Sequence, residues 1–303
     1  MLHASGSAVL LAGPDLDAQL RAWLAEDLGR GDLTAPALLG SRGRARWIAR
    51  QAGRFCGGVL VEPLFRILDP SVAVRLLVDD GDAIAPGQVL LTLEGEARAL
   101  VAGERTALNL AMRLSGIATA TALLVAELAE YDTRLVDTRK TTPGLRRFEK
   151  YAVRCGGGLN HRLGLDDAAM LKENHLAWGG GVARAAAAVR AAAPWPARLI
   201  VEAETAEEAE AAVRAGADAV LLDEFSPEQL ATLVPRLRQL AQQEAGPGRQ
   251  PPLGRGLVLE ASGVRPEQLR AYAASGVDLI STSAPITRAP WLDLSMRFEP
   301  LLA

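Results

Sequence analysis

Residues 135–146 read LVDTRKTTPGLR, where an apolar couplet runs directly into charged residues and a Pro-Gly turn. The charges are those of Asp137, Arg139, Lys140 and Arg146. Cations at the end of a buried strand are costly unless a ligand or a partner completes them. We therefore interpret this stretch as a strand that ends at the mouth of a catalytic barrel, where its charges hold an anionic substrate.

The same pattern recurs along the second half of the chain, where six short apolar segments each finish in polar or charged residues. The segments are RLVDTR (134–139), AAMLKENH (168–175), RLIVEAE (198–204), AVLLDEF (219–225), LVLEASG (257–263) and DLISTSA (278–284). Their end residues are Arg139, Lys172, Glu202, Asp223, Ser262 and Ser283. Helical patterns lie between several of them, which predicts parallel strands buried on both faces. An open doubly wound sheet would gather fewer strand ends, so six in series favour an α/β barrel.

The first third of the chain has a different texture, which changes near residue 112. A helical spacing at 15–28 is followed by alternating runs at 44–50 and 72–100, punctuated by Asp-Gly, Pro-Gly and Glu-Gly. These runs predict antiparallel hairpins. A long apolar helix is expected over 103–131, and a mobile surface loop over the Gly/Pro/Gln-rich stretch 242–256.

Composition excludes several classes of protein. The 303 residues are 49% apolar and 23% charged with a net charge of −3, so neither a nucleic-acid footprint nor attraction to an anionic membrane is expected. Only Cys56 and Cys155 are present, which suits a reducing compartment. We find no signal-peptide pattern and no uninterrupted apolar run of the length a membrane span needs. The expected location is the cytoplasm.

Between Asp137 and His175 the chain carries eight Lys or Arg residues. A solvated helix face accounts for those at helical spacing from Arg146 to Arg154. It does not account for the cations that end strands, for which an anionic ligand is expected. Arginine suits carboxylate and lysine suits phosphate, so a ligand with both groups fits best. A Schiff-base role for Lys172 stays open on barrel analogy, although the density of arginine favours anion binding.

Two further groups of residues are candidates for chemistry. The loop CGGGLNHRLGL (155–165) joins three glycines to His161 and Arg162, and is either a ligand loop or a plain flexible turn. His175 is either functional or structural. Opposite the cations in the series stand carboxylates at Glu202, Glu204, Asp223 and Glu224. They serve Mg²⁺ or sugar hydroxyls, or else balance the lysines as ion pairs. No zinc spacing, P-loop or G-x-S-x-G elbow occurs.

Several stretches together resemble the quinolinate phosphoribosyltransferase family, the carboxylating or decarboxylating nicotinate-nucleotide pyrophosphorylases of NAD biosynthesis (NadC family). They are EDLGRGDLT (26–34), GERTALNLAMRLSGIAT (103–119), DTRKTTPGLRRFEKYAVRCGGGLNHRLGL (137–165), LKENH (171–175), VEAE (201–204), AGADAVLLD (215–223), LEASG (259–263) and LDLSMRF (292–298). The resemblance implies an N-terminal α/β sandwich-like domain (1–112), an incomplete α/β barrel of about seven strands (113–285), and a tail (286–303) packing back on the N-terminal domain. It implies a homodimer or larger assembly.

The resemblance also implies the reaction: quinolinate and phosphoribosyl pyrophosphate give nicotinate mononucleotide, pyrophosphate and CO₂, with Mg²⁺. The residues that it implies for catalysis are Lys172, His161, Glu202 and Asp223, of which Glu202 and Asp223 serve the metal-bound sugar donor. The residues that it implies for substrate binding are Arg105 (from the other subunit), Thr138, Arg139, Lys140, His161, Arg162, Lys172, Ser262, Gly263, Ser283 and Ala284. Either Lys172 or His161 would return a proton to the ring.

The chain departs from the family pattern at three places, which keeps two alternatives open. Asp223-Glu224 stands where the family has Asp-Asn, Ser262-Gly263-Val264 where it has Ser-Gly-Gly, and Thr282-Ser283-Ala284-Pro285 where it has a Val-Gly-Ala turn. The resemblance implies that the backbone around Ser262-Gly263 and Ser283-Ala284 forms a phosphate cradle for the 5′-phosphate. The last two departures fall in this cradle, where a missing glycine blocks close backbone approach. The alternatives are a paralogue similar to the molybdenum-transport-associated protein ModD, acting on a different acidic base, and a non-catalytic phosphosugar-binding protein.

Overall fold

The fold is described by a computed structural model, which covers residues 11, 13, 15–245 and 256–300. Most of the stretch at 242–256, expected to be a surface loop, lies outside the described residues. The chain forms two compact units. The first comprises the described parts of Met1–Leu123, Thr141–Gly157 and Pro285–Ala303, and the second comprises those of Leu124–Lys140 and Gly158–Ala284.

The elements alternate in the way that the sequence pattern indicates. The described helices are α1 (Leu16–Leu28), α2 (Val61–Leu68), α3 (Ala97–Glu127), α4 (Arg146–Cys155), α5 (Glu173–Gly179), α6 (Val182–Ala192), α7 (Ala206–Arg214), α8 (Pro227–Ala245), α9 (Leu269–Ala274) and α10 (Ala284–Thr287). The described strands are β1 (Arg42–Ala49), β2 (Gly53–Arg54), β3 (Ala73–Leu76), β4 (Ala83–Ile84), β5 (Val89–Glu96), β6 (Arg134–Val136), β7 (Ala169–Leu171), β8 (Leu199–Ala203), β9 (Ala219–Leu222), β10 (Val258–Ala261), β11 (Leu279–Ser281) and β12 (Leu294–Pro300).

The first unit is built on a four-stranded antiparallel sheet in the order β12-β1-β5-β3. Along β1 exposed and buried residues alternate, so that Ala45, Trp47 and Ala49 share the buried face. Phe65 of α2 and Leu100 of α3 belong to the same apolar cluster. A sheet with one covered face therefore carries the core of this unit, and β12 completes its edge.

The helix α3 is the longest element of the first unit. By length and composition it is apolar enough to cross a membrane, and 44% of its most apolar window is buried within the structure. Leu100 and Leu108 pack in the core of the sheet, whereas Ile117 and Ala118 pack with α4. The apolar composition of α3 therefore fits a helix that packs against apolar side chains of several other elements. Because α3 begins at Ala97, the expected domain division at residue 112 falls inside it.

The second unit contains a six-stranded parallel sheet in the order β6-β11-β10-β9-β8-β7. All six segments that the sequence predicts as strands are strands of this sheet. Leu159 adds a single parallel bridge beside Val136 on β6, at the edge of the sheet. The predicted fold class, a mixed α/β chain with a partial α/β barrel, is confirmed, with six strands and one bridged residue where about seven strands were expected.

Alternate residues of these strands face two different apolar clusters. Leu259 and Ala261 of β10 pack with residues of α6 to α9 on the outer face. Val258, Ile200 and Leu221 belong to a small cluster on the inner face. Because side chains alternate along a strand, the inner face continues from these residues into the polar strand ends.

Candidate active site

The inner face of the parallel sheet leads into a set of charged side chains at the carboxyl ends of its strands. Three carboxylates each lie two residues after an inner-face residue: Glu202 after Ile200, Asp223 after Leu221, and Glu260 after Val258. Glu202 and Glu260 both pair in register with Leu221, the residue between them in the sheet. The sheet therefore presents two carboxylates at the same level on adjacent sides of one strand.

The loop after β6 supplies the first cations. Arg139 is partly buried, whereas Lys140 is exposed. The backbone N–H of Lys140 donates to Thr138 Oγ1 at 3.0 Å, which shapes the turn. Three of the expected substrate-binding residues, Thr138, Arg139 and Lys140, thus follow one another in the loop after β6.

A buried aspartate fixes the neighbouring loop. Asp137 is 1% exposed, and its carboxylate accepts hydrogen bonds from Asn160 Nδ2 at 2.7 Å and from the backbone N–H of His161 at 2.8 Å. Since burying a carboxylate is costly unless it is hydrogen-bonded, these contacts hold the glycine-rich loop beside the end of β6. The loop is thereby an ordered part of the site.

His161 and Arg162 are held by the strands around them. The backbone N–H of Arg162 donates to His161 Nδ1 at 2.7 Å, and His161 Nε2 lies 3.5 Å from Glu260 Oε2. Arg162 Nη1 donates to the carbonyl of Ala168 at 2.9 Å. Burial, and then the neighbouring Arg139 guanidinium, lowers the pKa of Arg162, while Glu202 acts in the opposite direction. Arg162 therefore lies within electrostatic range of both Arg139 and Glu202.

Lys172 follows β7 and its ammonium contacts the carboxylate of Glu202. The Lys172 side chain is 44% exposed and that of Glu202 is 11% exposed, so the lysine remains accessible while its partner is nearly covered. His175 lies on the next turn of chain, where its Nδ1 accepts the backbone N–H of Lys172 at 3.1 Å. His175 therefore caps α5, which favours its structural interpretation.

Carboxylates accumulate on the rim next to Glu202. Desolvation, followed by the charges of Glu173, Glu208 and Asp223, raises the pKa of Glu204. Among the residues that the structure describes, no three His, Cys, Asp or Glu side chains are grouped to hold a metal ion. A cation here would have to take most of its ligands from elsewhere, as Mg²⁺ does with substrate phosphates.

The expected phosphate cradle lies in the loops after β10 and β11. Gly263 has φ of 75°, a conformation that suits glycine. A side chain added at Gly263 would meet Glu224 Oε1 at 3.0 Å, so the Glu224 carboxylate lies against this turn. In the other loop, the backbone N–H of Ala284 donates to Thr282 Oγ1 at 3.2 Å, next to Ser283.

Arg105 belongs to the first unit and is described there by itself. It lies on α3, where its Nη2 donates to Glu104 Oε1 at 2.6 Å. Together with Asn109, Arg113 and Trp291 it lines a cavity of about 480 Å³ in that unit. Every other site residue expected from the sequence belongs to the second unit.

Two domain families match this architecture. The description "Quinolinate phosphoribosyl transferase, N-terminal domain" applies to residues 32–115, and "Quinolinate phosphoribosyl transferase, C-terminal domain" applies to residues 117–297. The chain belongs to the quinolinate phosphoribosyl transferase family. The resemblance inferred from the sequence motifs is confirmed.

Relatives of the family cover almost the whole chain. A probable nicotinate-nucleotide pyrophosphorylase (carboxylating) of Synechocystis is 46% identical over 93% of this chain and 92% of its own length. The human nicotinate-nucleotide pyrophosphorylase (carboxylating) is 35% identical over 98% of this chain and 96% of its own. The crystal structure of NadC from Streptococcus pyogenes superimposes with a TM-score of 0.85 at 35% identity, covering 96% of this chain and 99% of that one.

Within this family site, three residues were not assigned a role from the sequence. Asp137 stood out only as a charge, and Asn160 only as a neighbour of His161. Glu260 lies inside the apolar segment LVLEASG, for which the sequence indicates Ser262 as the polar end residue. The period-two alternation from Val258 to Glu260 is the signal that could have found it, since it puts the carboxylate on the same face as the site.

Proposed function

We propose that the protein transfers the phosphoribosyl group of phosphoribosyl pyrophosphate to quinolinate, with loss of CO₂, to give nicotinate mononucleotide and pyrophosphate in NAD biosynthesis. The observation that carries this proposal is the ion pair of Lys172 with Glu202, together with the electrostatic influence of Arg139 and Glu202 on Arg162, at the strand ends of the second unit. A protein of net charge −3 that concentrates cations in one place provides for a polyanionic ligand.

Recognition of quinolinate follows from the shapes of these cations. Its two carboxylates lie on adjacent ring carbons, and the guanidinium groups of Arg139 and Arg162 offer planar forks to such groups. The Lys172 ammonium provides a compact charge at the accessible edge of the cluster. Burial and the Arg139 guanidinium lower the pKa of Arg162, and the negative charge of a bound dianion would act in the opposite direction.

Glycosyl transfer then uses the acidic side of the site. The pyridine nitrogen attacks the anomeric carbon as the bond to pyrophosphate breaks, and positive charge develops on the ribose. Glu202 on β8 and Asp223 directly after β9 would stabilise that charge and accept hydrogen bonds from ribose hydroxyls. Lys140, exposed on the loop after β6, is suited to the phosphate end of the donor.

The loss of CO₂ itself needs no further group from the protein. After transfer the ring nitrogen is cationic, so the carbon beside it can lose CO₂ and hold the electron pair briefly against that positive charge. A proton then adds to the same carbon, which balances the reaction. The residues around the ring keep it oriented during both steps.

Mg²⁺ fits the residues present only as part of the sugar donor. Glu202 and Asp223 are the two carboxylates that would hold it, with the remaining ligands coming from pyrophosphate oxygens and water. Bound in this way it would neutralise charge on the departing pyrophosphate.

The assembly and location of the enzyme are also part of the proposal. A homodimer in which Arg105 reaches the site of the partner subunit accounts for the position of Arg105 outside the second unit. The Arg105 side chain is 57% exposed and pairs with its neighbour Glu104, which leaves it accessible for such a role. The cysteine content suits the cytoplasm.

The test is a direct assay of both products. Purified protein is incubated with Mg²⁺, phosphoribosyl pyrophosphate and quinolinate labelled in the 2-carboxylate, and nicotinate mononucleotide and labelled CO₂ are measured. The proposal expects the two to form in equal amounts, with no product from nicotinate in place of quinolinate. Product from nicotinate, or no product from quinolinate, contradicts it.

One observation favours a second candidate, a paralogue that acts on a different acidic base. The Glu224 carboxylate lies against Gly263, where a phosphate of the donor is expected, and like charges repel there. A panel of pyridine and pyrimidine carboxylates offered with the same donor separates the candidates. The second requires that one of them outperforms quinolinate.

A further inference from the structure

The carboxylate of Glu260 is buried to a degree that the fold alone does not require. The residue is 2% exposed on β10, and its Oε1 accepts no hydrogen bond from any residue in the part of the chain that the structure describes. Burying a carboxylate oxygen without a hydrogen bond is costly for a fold. Because its burial is unfavourable, we expect the Glu260 carboxylate to position a neighbouring side chain.

That neighbour is His161, whose ring has a different contact at each nitrogen. Nδ1 accepts the backbone N–H of Arg162 at 2.7 Å, and Nε2 lies 3.5 Å from Glu260 Oε2. A backbone N–H can only donate, so Nδ1 carries no proton in this arrangement and the ring proton resides on Nε2. The carboxylate of Glu260 faces that proton.

We infer that Glu260 is a positioning residue, which together with the Arg162 backbone holds His161 as a neutral imidazole with its proton on Nε2. The kinetic part of this inference rests on the proposed function. A neutral imidazole is too weak an acid to return a proton to the ring carbon. His161 therefore shapes the quinolinate site, and the proton returned after decarboxylation comes from another group.

Asp137 and Arg162 lie next to His161, and their charged side chains make contacts away from its ring. Asp137 receives the backbone N–H of His161, which fixes the main chain, and the Arg162 guanidinium is directed to the Ala168 carbonyl. Neither removes the hydrogen bond to Nδ1. Glu260 is the carboxylate that faces the Nε2 side of the ring.

The first experiment needs no substrate. The chain has three histidines, so ¹⁵N-histidine NMR of the wild-type protein gives few ring signals. The signals that disappear in the His161→Asn variant are those of His161. The expected pattern at pH 7 is an unprotonated Nδ1 and a protonated Nε2. A doubly protonated His161, or a proton on Nδ1, overturns the inference.

The second experiment compares Glu260→Leu with Glu260→Gln. The leucine removes the carboxylate that faces Nε2–H, and KM for quinolinate is expected to rise roughly tenfold or more while kcat changes by less than about threefold. The glutamine keeps a carbonyl acceptor, so its KM is expected to stay within about threefold of the wild type. The tautomer pattern of His161 should persist in the glutamine variant and become mixed in the leucine variant.

The matched control is Glu210→Leu. Glu210 is also a buried carboxylate of the second unit, ion-paired with Arg214 and Arg236 on outer helices, so its loss should affect stability and leave KM unchanged. An unchanged KM in Glu260→Leu, or a kcat that falls as steeply as KM rises, contradicts a positioning role. If the wild-type protein forms no nicotinate mononucleotide, the proposed function fails, while the NMR result still decides the state of His161.

Discussion

At the scale of single residues, Glu224 is the one non-glycine residue in the described part of the chain with a positive φ, at 59°. This left-handed conformation suits glycine and asparagine and costs other residues on the order of 1 kcal/mol. It follows directly after Asp223, and its carboxylate turns back onto Gly263. Strain and negative charge therefore occur together beside the expected phosphate cradle.

Replacing Glu224 by asparagine should stabilise the protein. The asparagine tolerates the left-handed backbone, and we expect the free energy of unfolding to rise by up to about 1 kcal/mol, measured by urea denaturation. Glu244→Asn, in the last part of α8, is the control, because there the same change enters a regular helix and should cost a few tenths of a kcal/mol. A loss of stability in Glu224→Asn would show that the conformation is not strained.

At the scale of elements, the six parallel strands and their polar ends could be predicted because each apolar run is bounded by a clear change of residue type. The bounds of α3 could not, since the alternation of β5 passes into the helix at Ala97 without a break signal. The partners of Asp137 are 23 and 24 residues away, so only the folded chain brings them together. The role of Glu260 could not be predicted because strands of a parallel sheet are apolar on both faces. The sequence therefore does not show which residues of β10 face the site.

Gly116 in α3 offers a test of how closely this helix packs. An alanine normally stabilises the middle of a helix by about 1 kcal/mol relative to glycine. At Gly116 its Cβ would lie 2.0 Å from the carbonyl oxygen of Pro290. We expect Gly116→Ala to destabilise the protein by about 1–3 kcal/mol, measured by thermal and urea unfolding.

The control for Gly116→Ala is Val101→Ala on the same helix, where the side chain is 37% exposed. That change should lie within about 0.5 kcal/mol of the wild type. A stabilised Gly116→Ala variant would mean that the close approach of Pro290 to α3 does not occur.

A buried aspartate links α4 to the loops of the first unit and makes stability depend on pH. Asp80 Oδ2 accepts the hydroxyl of Tyr151 at 2.7 Å, and Oδ1 accepts the Gly58 N–H at 2.8 Å. Burial raises the pKa of Asp80, with these hydrogen bonds acting in the opposite direction. The folded state therefore binds the proton more tightly than the unfolded state does, where the pKa is about 3.9.

The sign of the effect follows from that difference. The contribution of Asp80 is full below the unfolded pKa of about 3.9 and is lost as the pH rises through the raised pKa of the folded state. We expect the free energy of unfolding of Asp80→Asn, relative to the wild type, to increase as the pH is raised from about 4 to 7. Urea unfolding of both proteins at several pH values measures it, and a difference that shrinks with pH would contradict the raised pKa.

At the scale of the whole molecule, an acidic protein concentrates its functional cations at one end of one sheet. The family domains cover residues 32–115 and 117–297, and the strand ends that carry the cations all fall within the second. The net charge of −3 leaves no general attraction for anions, so affinity has to come from the local cluster. Whether Arg139 and Arg162 hold the same molecule is the point on which the proposed function depends.

A double-mutant cycle on quinolinate binding tests this most directly. Calorimetry gives the dissociation constant for the wild type, Arg139→Ala, Arg162→Ala and the double variant. Each single change should weaken quinolinate binding by about 2–4 kcal/mol. Arg190→Ala is the control, since Arg190 pairs with Asp218 before β9, away from the carboxyl ends of the strands. Because both arginines would hold one ligand, we expect a coupling energy of about 0.5–3 kcal/mol between them. Losses that add to within about 0.3 kcal/mol would mean that the two arginines act on separate ligands, and would contradict the shared quinolinate site.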